Sequence, residues 1–360
     1  MAERFTLKQR TGALIFDGPR FLWAMRPAWF AGRSISPWMC MRNRHEQLQF
    51  DAAKRGVMCN WQWTSDLHIA KVFPQTGRQL MKHALRDWPI KMRDEPEVRP
   101  YIVEVSFIIG HRGTARLSHL LATLQTIAAQ RTVSFECIVV EQSVAPEIKD
   151  ALPAWVRYVH TPLPQPQMPY CRSWAFNVAA RLAQGELLVF HDNDMLLPCD
   201  YAAQLLARYR EGYEVINLKR FIFYLNESHS QRFFSSGVLL QDEAPDAVVQ
   251  NLEAGGSIAV YRDAFFAIGG FDEAFVGWGG EDNEFWERAQ TRNVWPYTYL
   301  PIVHLWHEAQ SDKFKRQRET STHFAERMAL PVYERIRELA GRKFGQPGQL
   351  DPPYHAADES

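Results

Sequence analysis

The sequence predicts an α/β protein whose main sheet is mostly parallel, and three observations predict it. Short apolar, β-branched runs recur at VEVSFIIG (103–110), FECIVVE (135–141) and ELLVFHD (186–192), the composition of strands buried on both faces. Between them lie stretches with apolar residues at helical spacing. The runs begin after a charged stretch with two prolines, RDEPEVRP (93–100), which reads as a linker between an N-terminal segment, 1–100, and a main domain, 101–310.

Taken in order, 103–110 is a buried strand and HRGTAR (111–116) a polar turn. Leu117, Leu120, Leu121, Leu124, Ile127 and Ala128 then fall on one face of a helix over 115–130. FECIVVE is the second strand and VRYVHT (156–161) a short third. The loop PLPQPQMP (162–169) leads into a helix over 171–184, and ELLVFHD is the next strand. Strand–helix alternation favours a parallel sheet, whose ligands bind at the carboxyl ends of its strands. That rim holds Gly110–Thr114, Glu141–Ser143 and His191–Asp194. Residues 311–344 read as a helical segment, and the tail 345–360 as flexible.

The charges balance, 41 basic against 41 acidic side chains in 360 residues, so a nucleic-acid-binding role is not expected. The balance hides an asymmetry: residues 1–100 carry 17 Lys and Arg against 9 Asp and Glu, and six of the 12 Trp (Trp23, Trp29, Trp38, Trp61, Trp63, Trp88). Such a segment fits either peripheral contact with an anionic membrane or a cover that packs its aromatics on the larger domain. No apolar run is long enough to span a bilayer, and MAERFTLKQR has no apolar signal core, so a cytoplasmic protein is expected. The five cysteines (Cys40, Cys59, Cys137, Cys171, Cys199) show no CxxC spacing and read as reduced thiols.

Three motifs carry chemistry. FHDNDMLLP (190–198) places Asp192 and Asp194 at a strand end, where carboxylates two residues apart share a face and can hold a hard divalent cation. The alternative is a polar turn capping the next helix. In FVGWGGEDNEFWER (275–288), Gly277, Gly279 and Gly280 around Trp278 suit a loop whose backbone approaches a ligand, and Glu281 and Asp282 open a helix. An aromatic ring beside carboxylates suits a sugar; the bland reading is acidic first-turn residues. In VHLWH (303–307), His304 and His307 would share a face of a helical turn and could complete a metal site begun by Asp194.

From about 103 to 310 the chain resembles nucleotide-sugar glycosyltransferases of the GT-A fold, in particular the β-1,4-galactosyltransferase C-terminal domain and bacterial family 2 enzymes. FIIGHRGTAR corresponds to the opening strand and basic turn that meets the nucleotide, with Gly110 where proline is usual. CRSWAFNVA supplies an Arg-x4-Asn element, Arg172 and Asn177. FHDNDMLLP is the D-x-D segment, GWGGED the acceptor loop and catalytic acid, and HLWH the later metal-ligand position. VEQSVA lacks the usual acidic pair, which leaves Glu141 and Gln142 as candidates for nucleotide contact.

The resemblance implies a metal-dependent inverting transferase. It would move a hexose or N-acetylhexosamine from a UDP-sugar to a hydroxyl of a glycan or lipid-linked acceptor. Mn²⁺ or Mg²⁺ would sit on Asp194 and His307, with Asp192 and His304 beside them, and would neutralise charge on the leaving diphosphate. Arg112, Gln142, Arg172, Asn177 and Asp192 would meet the nucleotide sugar. Asp282 would be the general base, Glu281 would orient the acceptor, and Trp278, Gly279 and Gly280 would line its site. The competing readings are a retaining N-acetylgalactosaminyltransferase-like enzyme, a metal phosphoesterase built on HDND and the two histidines, and a catalytically dead carbohydrate- or nucleotide-binding protein.

Overall fold

A computed structural model describes residues 5–26, 36–44, 46, 48–51, 56–58, 64–97, 102–250, 253–309 and 317–352. Trp29, Trp61, Trp63, Cys59, the end of the expected linker and residues 353–360 lie outside them. The N-terminal segment contains α1 (Leu7–Phe16), α2 (Gly18–Ala24), β1 (Gln49–Asp51), β2 (Gly56–Met58), β3 (Ser65–Asp66), α3 (His68–Val72) and α4 (Pro74–Asp87). The main domain follows with β4 (Val105–His111), α5 (Leu117–Ala128), β5 (Phe135–Ser143), β6 (Arg157–Pro162), α6 (Arg172–Leu182), β7 (Leu187–His191), β8 (Met195–Leu196), α7 (Tyr201–Arg210) and β9 (Val215–Ile216). Then come β10 (Lys219–Tyr224), α8 (Glu227–Ser236), β11 (Ala247–Gln250), β12 (Ser257–Tyr261), α9 (Arg262–Ala267), α10 (Glu281–Ala289), β13 (Tyr297–Thr298) and β14 (Leu300–His304). The chain closes with α11 (Gln317–Ala329) and α12 (Val332–Ala340).

The expected α/β class is the one observed. The main sheet has the order β6-β5-β4-β7-β12-β9. Strands β4, β5, β6 and β7 pair parallel, and β12 runs antiparallel to both its neighbours. Alternation along β4 explains how two layers cover it. Phe107 and Ile109 join one apolar cluster with Leu120, Leu124 and Ile127 of α5. Ile108 points the other way, into a cluster with Trp174, Ala175 and Val178 of α6.

A second sheet, β3-β11-β10-β14-β8, carries His304 at the end of β14 and begins β8 directly after Asp194. It also ties the first hundred residues to the rest, because β3 pairs with β11 and, in a third small sheet, β2 pairs with β13. Trp38 is 1% exposed and its ring lies 6.0 Å from that of Phe221. The buried guanidinium of Arg220 donates to the carbonyls of Met39 and Met41. Of the two readings of these aromatics, Trp38 and Trp88 follow the packing one.

The segment from Gly345, expected to be flexible, is held through Asp351. The backbone amides of Gly345 and Asp351 donate to the two oxygens of Glu273 at 2.7 and 3.1 Å, and Leu350 is buried. Among the described residues, no helix is long and apolar enough to cross a membrane.

Candidate active site and metal centre

The end of β7 divides the site in two. His111, at the end of β4, is buried, and its Nδ1 lies 2.7 Å from the Asn193 amide nitrogen. The Asp192 amide donates to the Gly256 carbonyl at 2.9 Å, and the Leu305 amide donates to the Asp194 carbonyl at 2.9 Å. The backbone turns between these anchors, so the two aspartates do not share a face as an extended strand would have them. Asp192 faces Arg172, and Asp194 faces the histidines.

Asp194, His304 and His307 form the metal-competent group, their ligand atoms all within 4.8 Å of one another. Asp194 Oδ2 lies 3.3 Å from His307 Nε2, and Oδ1 lies 3.7 Å from His304 Nε2. Strand pairing brings them together, because β8 starts at Met195 and pairs with β14 in the register His304↔Met195. The expected helical turn is absent: His304 ends a strand and His307 lies in the loop beyond it. Tyr224, opposite His304 in the β10–β14 register, stacks on its ring at 4.4 Å.

The donor set fits a divalent cation with oxygen and imidazole preferences. His304 Nδ1 is buried with no hydrogen-bond partner among the described residues, and its Nε2 is too far from Asp194 for a hydrogen bond. Burial lowers the pKa of His304 despite the pull of Asp194, which favours the neutral imidazole, the form that ligates. Burial would raise the Asp194 carboxyl, but His304, His307 and Arg116 outweigh it and keep it well below the usual carboxylate range.

The other half centres on Arg172 at the start of α6. Its Nε and Nη2 donate to Asp192 Oδ1 at 2.9 and 2.6 Å. Its Nη1 donates to Asp282 Oδ1 and lies 3.8 Å from Glu281. One guanidinium thus joins the strand end to the start of α10. Burial pushes Asp192 up to about 6 against the opposing Arg172, and burial with the neighbouring Asp282 pushes Glu281 up to about 7. Glu281 Oε2 is buried with no hydrogen-bond partner among the described residues.

Glycine makes the loop before α10 possible. Gly277, Gly279 and Gly280 all have positive φ, from 95° to 108°, where side chains are strained. A Cβ on Gly280 would also lie 2.9 Å from the Phe275 ring. Trp278 is 49% exposed at the tip, with its carbonyl accepting from Thr320 Oγ1.

The remaining sequence-derived candidates support this geometry from behind. Arg112 donates to the carbonyls of Gln142, Met168 and Pro169, pinning the proline-rich loop to the strand ends. Gln142 is fully buried and clasps the backbone of Cys171 at both its N–H and its C=O. Asn177, also buried, holds the Phe271 backbone and Glu273. Glu141 is consumed by the amides of Glu147 and Ile148 and by the Tyr158 and Ser143 hydroxyls. At Gly110 the Tyr170 hydroxyl occupies the space a side chain would need, 2.1 Å from where a Cβ would be.

Sequence reasoning missed Arg116, 3.4 Å from Asp194, and His119, whose ring lies 6.2 Å from that of His307. Arg116 closes the HRGTAR turn at the same rim, a signal that was present. Tyr224 meets His304 by pairing across 80 positions, for which no local signal exists. Asp66, Tyr224, Leu225, Asp246, His304 and His307 border an open cavity of about 360 Å³ beside the metal group.

Residues 250–299, which contain the GWGGED loop, match the family model described as the N-terminal domain of galactosyltransferase. The chain resembles a galactosyltransferase there. A solved structure, the catalytic domain of Drosophila β1,4-galactosyltransferase 7 in complex with xylobiose, is similar at 15% identity over 60% of this chain and 80% of that one, with a TM-score of 0.37. A similarity of that size transfers no residue's role. No curated protein matches the chain.

Proposed function

We propose that the protein is a metal-dependent inverting glycosyltransferase using a UDP-sugar donor and a glycan or lipid-linked acceptor. The observation that carries the proposal is that the Arg172 bridge joins the strand end bearing Asp192 to the candidate base, Asp282, next to the Asp194–His304–His307 group. The galactosyltransferase match over 250–299 supports the transferase class.

In this reading Asp194, His304 and His307 would hold Mn²⁺ or Mg²⁺, which supplies charge neutralisation for a departing diphosphate. Asp282 accepts the proton of the acceptor hydroxyl, a contribution of ~10²–10⁴-fold. Arg172 fixes the Asp282 carboxylate in place and holds Asp192 at the donor side. Burial raises the Glu281 carboxyl to about 7, so near neutrality part of the population keeps the proton and can donate a hydrogen bond to an acceptor oxygen. Trp278 offers its exposed face to a sugar ring. As Asp282 takes the proton, the acceptor oxygen bonds to the anomeric carbon from the face opposite the diphosphate, whose bond to that carbon breaks, and the centre inverts.

The test needs no known acceptor at first. Thermal stability is measured against nucleotides and nucleotide sugars, with and without Mn²⁺. The expected result is a shift for UDP or a UDP-sugar that requires the metal. With an acceptor found, Asp282→Asn should lower transfer at least ~100-fold and leave the UDP–Mn²⁺ shift intact. A folded protein that responds to no nucleotide would overturn the proposal, as would loss of nucleotide binding in Asp282→Asn.

A further inference from the structure

The two N-terminal helices take no part in the site, and their surface is unusual. Five of the eleven exposed large apolar side chains among the described residues lie between Leu7 and Leu22. Leu7 is 82% exposed, Leu14 57%, Ile15 62% and Leu22 69%. The other six are scattered through the rest of the chain, the ordinary condition of a soluble surface.

The arrangement on α1 is ordered. Ala13 is 1% exposed and marks the inward direction. At about 100° per residue, Leu7, Leu14 and Ile15 fall on the opposite side with Thr11 between them. Lys8 and Arg10 flank this stripe, one on each side, and both are exposed. Phe16, at the end of the helix, lies under the guanidinium of Arg44 at 4.2 Å. Between residues 5 and 26 the chain has four basic side chains and one acid, Asp17. Asp17 is buried and already paired with Arg20 at 3.3 Å and His68 at 3.2 Å. Among residues 5–26 the outward-facing side is therefore apolar and cationic, with no exposed acid on it.

We infer that α1 and α2 dock the protein on an anionic lipid surface, with Leu7, Leu14, Ile15 and Leu22 entering the headgroup–acyl boundary and Lys8 and Arg10 meeting the lipid headgroups. The helices have ten and seven residues, too short to span a bilayer, so they lie in the interface. Apolar insertion and cationic attraction are the two signals that together give stable peripheral binding. A basic flank selects an anionic bilayer over a second copy of this chain, which would set the same cations against each other.

The position of the hairpin gives docking a consequence. Asp17 bonds His68, which follows β3 by two residues, and Asp66 of β3 borders the cavity that His304 and His307 also border. Docking would hold that cavity close to the lipid surface, where a lipid-linked acceptor would be presented. This last step rests on the transferase reading; the docking does not.

The experiment is co-sedimentation of the full chain with phosphatidylcholine vesicles containing about one-third phosphatidylglycerol, and with pure phosphatidylcholine, at low and high salt. Binding to the anionic vesicles that weakens with salt is expected. Leu14→Asp with Ile15→Asp should lower the partition coefficient at least about tenfold, and Lys8→Glu with Arg10→Glu by a similar factor. All four positions are exposed, and an unchanged melting temperature will confirm that the variants fold. No binding by the parent chain overturns the inference, and so does equal binding by both variants. A concentration-dependent dimer that Leu14→Asp with Ile15→Asp disperses, without vesicle binding, overturns it in favour of a second copy. None of these readouts uses transfer activity, so the docking and the transferase reading fail separately.

Discussion

Replacing Asp194 by Asn keeps the side chain's size and removes the anionic member of the Asp194–His304–His307 group. Mn²⁺ at about 100 times its dissociation constant stabilises a folded protein by ~2.7 kcal/mol. Unfolding entropy of ~2.1 cal/mol/K per residue over 360 residues comes to ~0.76 kcal/mol/K. The parent protein should therefore melt ~3.5 °C higher with the metal than without it. Losing a charged ligand should weaken binding by ~100-fold, the upper end of what removing a mere supporting group costs. At the same Mn²⁺ concentration the variant then keeps ~0.4 kcal/mol, a shift of ~0.5 °C. The assay is a Mn²⁺ titration of the melting temperature against a chelator-treated baseline. The parent shift should also shrink as pH falls, since protons compete with the metal for its ligands. A variant that keeps the full metal-dependent shift refutes the assignment of Asp194 as a ligand. A parent with no shift, even with UDP present, refutes the metal site.

Three further outcomes follow from buried groups. Glu284 is fully buried and accepts from both Arg288 and Arg335, so Glu284→Ala takes a buried carboxylate partner from two guanidinium groups and should cost ~3–5 kcal/mol, a melting shift of ~4–7 °C. Gly280→Ala meets the Phe275 ring and a φ of 95°, and should cost ~1–3 kcal/mol by denaturant titration. Burial pushes Glu273 up to about 7 against the hydrogen bonds from Asn177, Gly345 and Asp351. The folded state then holds a proton that the unfolded chain releases, so stability should fall as pH rises from the ordinary glutamate range to about 7. Glu273→Gln should flatten that slope in urea titrations across the same window.

Much of the fold was legible because buried parallel strands have a local signature. The runs at 103–110, 135–141 and 186–192 became β4, β5 and β7 within two residues at each end, since a strand covered on both faces must be apolar throughout. The contacts of residues 345–351 were not legible, for the converse reason. GQPGQLDPPY has the composition of a flexible segment, but two of its backbone amides meet Glu273, a partner more than 70 positions away. The first hundred residues were separated from the main domain on charge and prolines, which say nothing about β3 adding to β11 or Trp38 packing on Phe221.

The sequence by itself determined the α/β class, the identity of the chemical groups and the glycine loop before α10, because each depends on residue type or on neighbours a few positions apart. It could list Asp192, Asp194, Arg172, Asp282, His304 and His307, and it set Asp194 with the histidines, but it kept Asp192 in the same group. Only the tertiary structure parted the two aspartates, sent Asp192 to Arg172, and turned Gln142 and Asn177 inward as supports. The division arises from a turn anchored on His111 and Gly256 and from the β8–β14 register. Both depend on pairing between distant segments, and such pairing is set by how the whole core packs rather than by any window of the chain.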